Sequence, residues 1–454
     1  MRTSTIYFYG GVESVTGSNF LLDTGGSKFL IDCGLFQGMR TAEDTNWTSL
    51  PYEPKTIPFL IITHAHIDHI GRIPKLVRDG FRGKIYSTEA TKALAEPLLY
   101  DAMELLQHEA EWRKLEPMYE EKDITQSMQL WDGLPYHKSV ELADDFSFEF
   151  LDSGHILGSA MVRLTREGRS IIFTGDLGGG NSPLVPPTES PTGAEYLVME
   201  SVYGDRLHDE TEEKRNTLEN CIEDTFARGG TLLIPAFAAE RTQDLLYEIR
   251  TLMVEKRVPS MPVYLDSPLA DKITAAYLAY PQYFNDEMQK RIASGEHIFE
   301  FPELKFVKDA SESRRIGEMP GPKIILAGSG MSNGGRIISH EKEIFADERS
   351  MILIVGYQSA GSLGRRLVDG AKVVQIRGED MPVKCHVSAI YGYSAHMDSE
   401  QLLEFVNKMS DSLQEVFVVM GEPASSGFLA QRIRDYIGVR AITPESNSTA
   451  KIDL

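Results

Sequence analysis

The stretch Thr63-His64-Ala65-His66-Ile67-Asp68-His69-Ile70-Gly71 places three histidines and an aspartate within six positions, directly after the apolar run from Phe59. A helix would splay alternate residues around its axis, so the side chains at 64, 66, 68 and 69 converge only on a tight loop. Ile70 to Pro74 then suits a turn entering a short helix. Histidine and carboxylate are good zinc ligands, and a catalytic zinc generally has three protein ligands plus water. Two histidines at i and i+2, followed by an Asp-His pair, have enough donors for two adjacent metals. A polar surface loop that gathered histidines by chance is a poor account of so dense a cluster after an apolar strand.

The chain has 454 residues, which predicts more than one domain or one domain with a large insertion. With 42% apolar and 25% charged residues, neither disorder nor a fibrous repeat is indicated. The N-terminus lacks the apolar centre of a signal peptide, and the longest apolar runs fall short of the ~20 residues that span a bilayer. A cytoplasmic protein without membrane association is expected. Cys33, Cys221 and Cys385 are far apart and lack paired metal-type spacing, which fits a reducing compartment. The net charge of -21 argues against a broad electrostatic footprint for nucleic acid, though not a local one. Arg314, Arg315, Arg336, Arg365, Arg366, Lys372 and Lys384 gather positive charge in the last third. Surface arginine pairs are more often solvated than functional.

Short strands separated by turns are expected at Thr5 to Tyr9, Asn19 to Asp23, Lys28 to Asp32, Phe59 to Thr63 and Lys84 to Ser87. A long helical pattern covers about Thr91 to Leu115, followed by strands at Phe146 to Leu151, Ala160 to Thr165, Ser170 to Thr174 and Tyr196 to Met199. From about Asp205 helix and strand alternate: Glu210 to Arg228, Thr231 to Pro235, Glu240 to Lys256, Pro262 to Asp266, Lys323 to Ala327 and Met351 to Gly356. Such alternation predicts parallel strands with crossover helices. The end returns to strands (Val383 to Ile390, Glu415 to Met420) and helices (Ser399 to Met409, Ala424 to Ile437). An α/β unit is thus inserted between strand-rich ends.

Further ligands must come from loops after later strands. Ser153-Gly154-His155 follows one, and Thr174-Gly175-Asp176 follows another. Alone, His155 or Asp176 reads as a turn or capping residue; with the first cluster they make an ordered set of HxHxDH, then His, then Asp. With this set the chain resembles the metallo-β-lactamase superfamily. "LIDCG", "ESVYG", "GSGMSNGGR", "GYQSAGSLGRRL", "GYSAHMD" and "VVMGEP" narrow the resemblance to the β-CASP nucleases, which include the cleavage and polyadenylation endonuclease subunit and its prokaryotic relatives. It covers almost the whole chain.

The resemblance implies an α/β fold: an αββα metallo-β-lactamase sandwich (1–204 and 368–454, the latter with the RNA-metabolising motif) interrupted by a β-CASP domain (205–367). It implies that His64, His66 and His155 hold one zinc, that Asp68 and His69 hold a second, and that Asp176 bridges both. Asp32 would orient a ligand histidine through a hydrogen bond. Glu200 and His396 match the first two β-CASP motifs, with His396 as general acid and Glu200 as its orienting partner. The implied reaction is zinc-dependent hydrolysis of single-stranded RNA, as endonuclease or 5′ to 3′ exonuclease, giving 5′-phosphate and 3′-hydroxyl products. A homodimer is a family-level expectation. Gly328 to Gly335 would bring backbone N–H groups near the nucleic acid or form a packing turn; it lacks the Gly-Lys-Ser/Thr ending of a P-loop.

The chain departs from the family pattern at Met420, where a histidine ligand of the second zinc usually stands before Gly-Glu. A thioether is a soft donor, poorly suited to zinc beside carboxylates and imidazoles. His340 or His386 is a conceivable replacement ligand. Two alternatives to the ribonuclease follow: an RNA-binding subunit impaired by Met420, and a small-ester or thioester hydrolase. Six intact ligand positions weigh against the first, and the insertion from about Asp205 to Leu367 against the second.

Overall fold

The structure, a computed structural model, describes residues 3–38, 40–208, 211–332, 334–356, 358 and 361–454. Glu210 at the expected start of a helix, Asn333 of the glycine-rich segment, and Tyr357, Ser359 and Ala360 of GYQSAGSLGRRL lie outside the described residues. The chain forms two compact units: Met1–Gly180 with Val185–Leu207 and Ala395–Leu454, and Asn181–Leu184 with His208–Ser394.

The first unit contains two seven-stranded sheets. One runs in the order Thr449–Asp453, Thr3–Gly10, Asn19–Asp23, Lys28–Ile31, Phe59–Ile61, Lys84–Thr88, Trp131–Leu134. The other runs Arg440–Ile442, Glu415–Val418, Tyr196–Met199, Arg169–Phe173, Ala160–Arg166, Phe146–Asp152, Val140–Glu141. From Ser4, strand Thr3–Gly10 alternates buried with partly buried residues, the period of a strand with one face on a core. That core lies between the sheets: Phe8, Phe20 and Phe29 from one meet Phe148, Val162 and Phe173 from the other. Helices Ser399–Asn407 and Pro423–Arg432 cover the far face of the second sheet through Leu402, Phe405 and Leu429. Helix Glu89–Arg113 packs on strands Lys84–Thr88 and Trp131–Leu134, completing the αββα sandwich. Its ends differ from the expected Thr91 to Leu115 because the Thr88 side chain caps its start and left-handed Lys114 stops it.

The second unit is a parallel sheet in the order Leu304–Phe306, Val263–Asp266, Lys323–Ala327, Thr231–Pro235, Met351–Val355, His386–Ile390. Every residue of Thr231–Pro235, Lys323–Ala327 and Met351–Val355 is buried, as between helices on both faces. The expected return to the first unit at 368 occurs later, after Ser394. The cause is pairing: His386–Ile390 joins the sheet beside Met351–Val355, and the hairpin of Val373–Ile376 with Glu379–Pro382 contributes Val374 and Ile376 to the same core.

Candidate metal centre

Five strands of the first unit deliver the site from their carboxyl ends. Phe59–Ile61 leads to His64, Phe146–Asp152 to His155, Arg169–Phe173 to Asp176, Tyr196–Met199 to Glu200, and Glu415–Val418 to Met420. The last three are neighbouring parallel strands, so their carboxyl ends share one edge. The loop of the histidine cluster is shorter than expected: Ile67–Ile70 is already one helical turn, carrying Asp68 and His69, while His64 and His66 precede it. Cys33 N–H donates to the His69 carbonyl (2.8 Å) and Leu35 N–H to that of Ile67 (3.0 Å). A side-chain carbon at Gly34 would lie 1.5 Å from the Asp68 carbonyl oxygen, so glycine is required for this approach.

His64, His66, His155 and Asp176 bring one donor atom each to a common point. His66 Nδ1 lies 3.0 Å from His64 Nε2 and 3.2 Å from His155 Nε2. Asp176 Oδ2 lies 3.4 Å from His64 Nε2 and 3.5 Å from His155 Nε2. Donors at about 2.0–2.1 Å from a tetrahedral ion are separated by about 1.63 times that length, roughly 3.3 Å, so the set fits one four-coordinate divalent metal. The other carboxylate oxygen, Asp176 Oδ1, faces His69 Nε2 at 3.4 Å, with Asp68 Oδ2 at 3.9 Å from the same nitrogen. Among the described residues Asp176 Oδ1 and His69 Nε2 are buried with no hydrogen-bond partner, which a second cation between them would satisfy. That set is looser and has fewer donors than the first.

Burial holds His66 and His155 well below the usual imidazole range and lowers His64 also, so these rings offer lone pairs. Burial opposes ionisation of Asp176, but the neighbouring His69 and His64 keep its carboxyl well below the carboxylate range. His69 differs: burial lowers it, yet Asp176 and Asp32 outweigh that and raise it well above its ordinary value.

Asp32 lies behind the ligands. Its Oδ2 contacts His69 Nδ1 at 2.7 Å and accepts from the hydroxyls of Ser18 (3.0 Å) and Thr63 (2.9 Å), while Oδ1 accepts from Thr63 N–H (2.9 Å). A proton on His69 Nδ1 leaves Nε2 facing Asp176. Thr63 has no role legible from sequence, yet its hydroxyl also lies 3.1 Å from His64 Nδ1 and 3.3 Å from His69 Nδ1. Ser159, likewise without a role in the sequence reading, accepts from His155 N–H and Ile156 N–H through its hydroxyl and so shapes the His155 loop. A small hydroxyl residue beside a ligand is too common a pattern to be found by sequence alone.

His396 reaches this edge by backbone pairing. Gly179 N–H donates to Ala395 and Met397 N–H to Leu177, with a bridge between Gly178 and His396. Its Nδ1 lies 3.0 Å from Glu200 Oε1, and its ring centroid 4.6 Å from that of His155. Glu200 is fully buried and also accepts from Leu177 N–H at 2.6 Å. Burial works against the His396 cation, but Glu200, then Asp176 and Asp68, raise it to about 9. Asp176, Glu200 and His396 also lie close enough to share a metal, a second chemical possibility for this pair.

Met420 is buried in the inter-sheet core with Phe20, Phe173 and Val198. A side-chain carbon at Gly11 would lie 2.4 Å from its sulfur and 3.2 Å from Phe20, so the thioether packs as a hydrophobic group. Neither suggested replacement belongs to the unit that carries the donor set. His340 Nε2 is engaged with Asp266 at 2.6 Å, and the His386 side chain is exposed on its strand. Among the described residues of the glycine-rich segment, Ser329 N–H donates to the Gly334 carbonyl and Ser332 N–H to that of Ser329.

A two-sheet sandwich with helices outside and a convergent His-Asp donor set on one edge is the architecture of a metallo-β-lactamase-type metal protein. Comparison with known families agrees: residues 14–227 match the metallo-beta-lactamase superfamily, 242–367 the Beta-Casp domain, and 380–444 the Zn-dependent metallo-hydrolase RNA specificity domain. The chain is 36% identical over 398 residues to Ribonuclease TTHA0252 of Thermus thermophilus, covering 88% of this chain and 89% of that one. It is 30% identical to an RNase J-like protein of Methanocaldococcus jannaschii (96% and 97% covered) and 31% identical to Transcription termination factor FttA of Methanosarcina mazei (96% and 70%). The fold matches, with a TM-score of 0.57 at 14% identity over 99% of this chain and 100% of the other, a solved protein of unknown function from Enterococcus faecalis V583. The chain belongs to the β-CASP nuclease family of the metallo-β-lactamase superfamily. Among the described residues no helix is long and apolar enough to cross a membrane.

Proposed function

We propose that the protein is a zinc-dependent ribonuclease that hydrolyses phosphodiester bonds of single-stranded RNA to 5′-phosphate and 3′-hydroxyl ends. The observation that carries this reading is the His396–Glu200 pair beside a four-donor metal set. Metal ligands alone serve many hydrolases, whereas a positioned proton donor next to them suits departure of a poor alkoxide leaving group. Ribonuclease names fall on relatives of nearly the same length, while this chain covers only 70% of the termination factor.

Imidazole and carboxylate donors at tetrahedral spacing suit zinc. Zinc held there would supply a lowered pKa for water and polarisation of phosphodiester oxygens. The protein's own groups do the rest. His64, His66, His155 and Asp176 would hold one ion, and Asp68 and His69 together with Asp176 would hold a second. Asp32 and Thr63 fix the His69 ring. As water adds to phosphorus, releasing a proton to solvent, and the P–O3′ bond breaks, His396 Nε2 gives its proton to the leaving 3′ oxygen. Glu200, bonded to Nδ1, holds the ring for that transfer.

Replacing His396 with Ala is expected to slow cleavage by about 10²- to 10⁴-fold with bound metal unchanged. Metal analysis of the purified variant checks this: loss of an ion would mean that His396 is a ligand and not the acid. Met420→His is expected to raise second-ion occupancy, since histidine tolerates the left-handed backbone at 420 (φ 46°) better than most residues. Equal zinc stoichiometry and activity in the variant and the parent would refute a second site weakened by Met420.

A time course on 5′-labelled single-stranded RNA tests the reading as a whole. Zinc-dependent products are expected, and their lengths separate endonucleolytic from 5′ to 3′ exonucleolytic action. No cleavage with intact metal would favour the RNA-binding subunit without catalysis.

A further inference from the structure

Helix Glu89–Arg113 outruns the sheet beneath it. Its 25 residues reach about 37 Å, against about 17 Å for strand Lys84–Thr88. Its buried residues from Ala90 to Ala102 lie in the first half, and Ala110 alone among the described residues is buried beyond them. The second half presents Leu105, His108 and Trp112 at i, i+3 and i+7, which places them on one face. Leu105 is 61% exposed and Trp112 73%. Leu115, just past the left-handed stop at Lys114, is exposed as well.

Single apolar residues on a surface are ordinary, whereas a stripe of large ones marks an interaction site. This stripe is also held in place. The Arg113 guanidinium sits 4.7 Å over the Trp47 ring and pairs with Asp44 and, at 2.9 Å, with Glu109, fixing the helix end against the segment from Arg40 to Trp47. Arg40 lies 5.5 Å over the Trp112 ring. An anchor ordered before binding loses little side-chain freedom on docking.

Charge selects the occupant. Between Asp101 and Asp123 eight acidic residues stand against three basic ones. Exposed Glu104 and Glu111, seven apart like Leu105 and Trp112, make an acidic row beside the stripe. Such a row repels RNA phosphates and anionic lipid. A second copy packed face to face would set acid against acid. What fits is a helix whose apolar face is bordered by lysine or arginine.

We propose that the second half of helix Glu89–Arg113 is a docking surface for a basic amphipathic helix of another protein. Leu105 and Trp112 are its apolar anchors, and Glu104 and Glu111 pair with the partner's cations. This surface is independent of the ribonuclease reading.

The probe is a fluorescein-labelled leucine–lysine peptide of about 18 residues, five helical turns, measured by anisotropy on the full chain. A leucine–glutamate peptide of the same pattern is the control. The lysine peptide should bind, more weakly as salt rises, and the glutamate peptide should not. Binding should move Trp112 emission to shorter wavelength. Leu105→Gln with Trp112→Gln should weaken binding at least tenfold, and so should Glu104→Lys with Glu111→Lys. All four positions are exposed, so melting temperatures should match the parent's. If the double glutamine variant unfolds, Trp112→Gln alone carries the test, with an expected loss of at least threefold. No binding by the lysine peptide, or affinity that ignores the glutamine substitutions, overturns the surface. An effect of the glutamates alone also overturns it, because attraction to an acidic chain needs no anchors. Self-association in ultracentrifugation, or oligouridylate binding, that the glutamine substitutions abolish would give the stripe to a second copy or to RNA and overturn the proposal.

Discussion

Asp176→Ala is expected to lower ribonuclease activity by on the order of 10⁴-fold and to remove most metal from the purified chain. Its two oxygens face different donor groups, Oδ2 toward His64 and His155 and Oδ1 toward His69. No other carboxylate within the compact first set can replace it. Losing it leaves three imidazoles on one side and the loose Asp68–His69 pair on the other. Metal assistance supplies several kcal/mol to the transition state, and each 1.36 kcal/mol is a factor of ten in rate. Plasma mass spectrometry for metal, beside the RNA time course, makes the comparison. Activity and metal content near those of the parent would sink the bridging role, and Asp176→Asn serves where the alanine variant folds poorly.

The second large effect concerns stability. Glu341, on helix Ile337–Ile344, is fully buried, with the Ser332 hydroxyl as the polar group beside its carboxyl. Burial raises its carboxyl from 4.5 to about 8, with the nearby Ser332 hydroxyl pulling the other way. Between pH 4.5 and about 8 the unfolded chain has lost this proton while the folded chain keeps it. Stability therefore falls as pH rises through that window and levels off above it. At 1.36 kcal/mol per pH unit the loss approaches about 5 kcal/mol. Glu341→Gln keeps the shape and removes the charge. Its melting temperature should match the parent's near pH 5 and exceed it clearly near pH 8.5. A gap that stays constant across this range would show that the carboxylate finds a partner in the folded chain.

Much of the metal site was legible because its donors are chemically distinctive and lie close together in sequence. His64, His66, Asp68 and His69 needed only the preceding strand, and His155 and Asp176 follow strands with clear apolar runs. The helical turn at Ile67–Ile70 is not legible in sequence, because four residues carry too little periodicity to show. The second unit reaches to Ser394 because His386–Ile390 pairs with Met351–Val355, and pairing partners are not written in local pattern. Glu341 was equally hidden: a glutamate in a helix reads as solvated until packing shows otherwise.

The sequence by itself determined which atoms could bind metal and in what chain order, since ligand chemistry belongs to the residue type. It also exposed Met420 as a departure, because a thioether is a poor donor for zinc wherever it sits. Tertiary structure decided which of these atoms meet. Parallel pairing of Arg169–Phe173, Tyr196–Met199 and Glu415–Val418 brings residues more than two hundred positions apart to one edge. The bridge between Gly178 and His396 sets a histidine beside Glu200, and core packing beside Phe20 gives Met420 an apolar role. Such contacts depend on long-range closure of the chain, whose free energy is a sum over the whole core and is not encoded in any short segment.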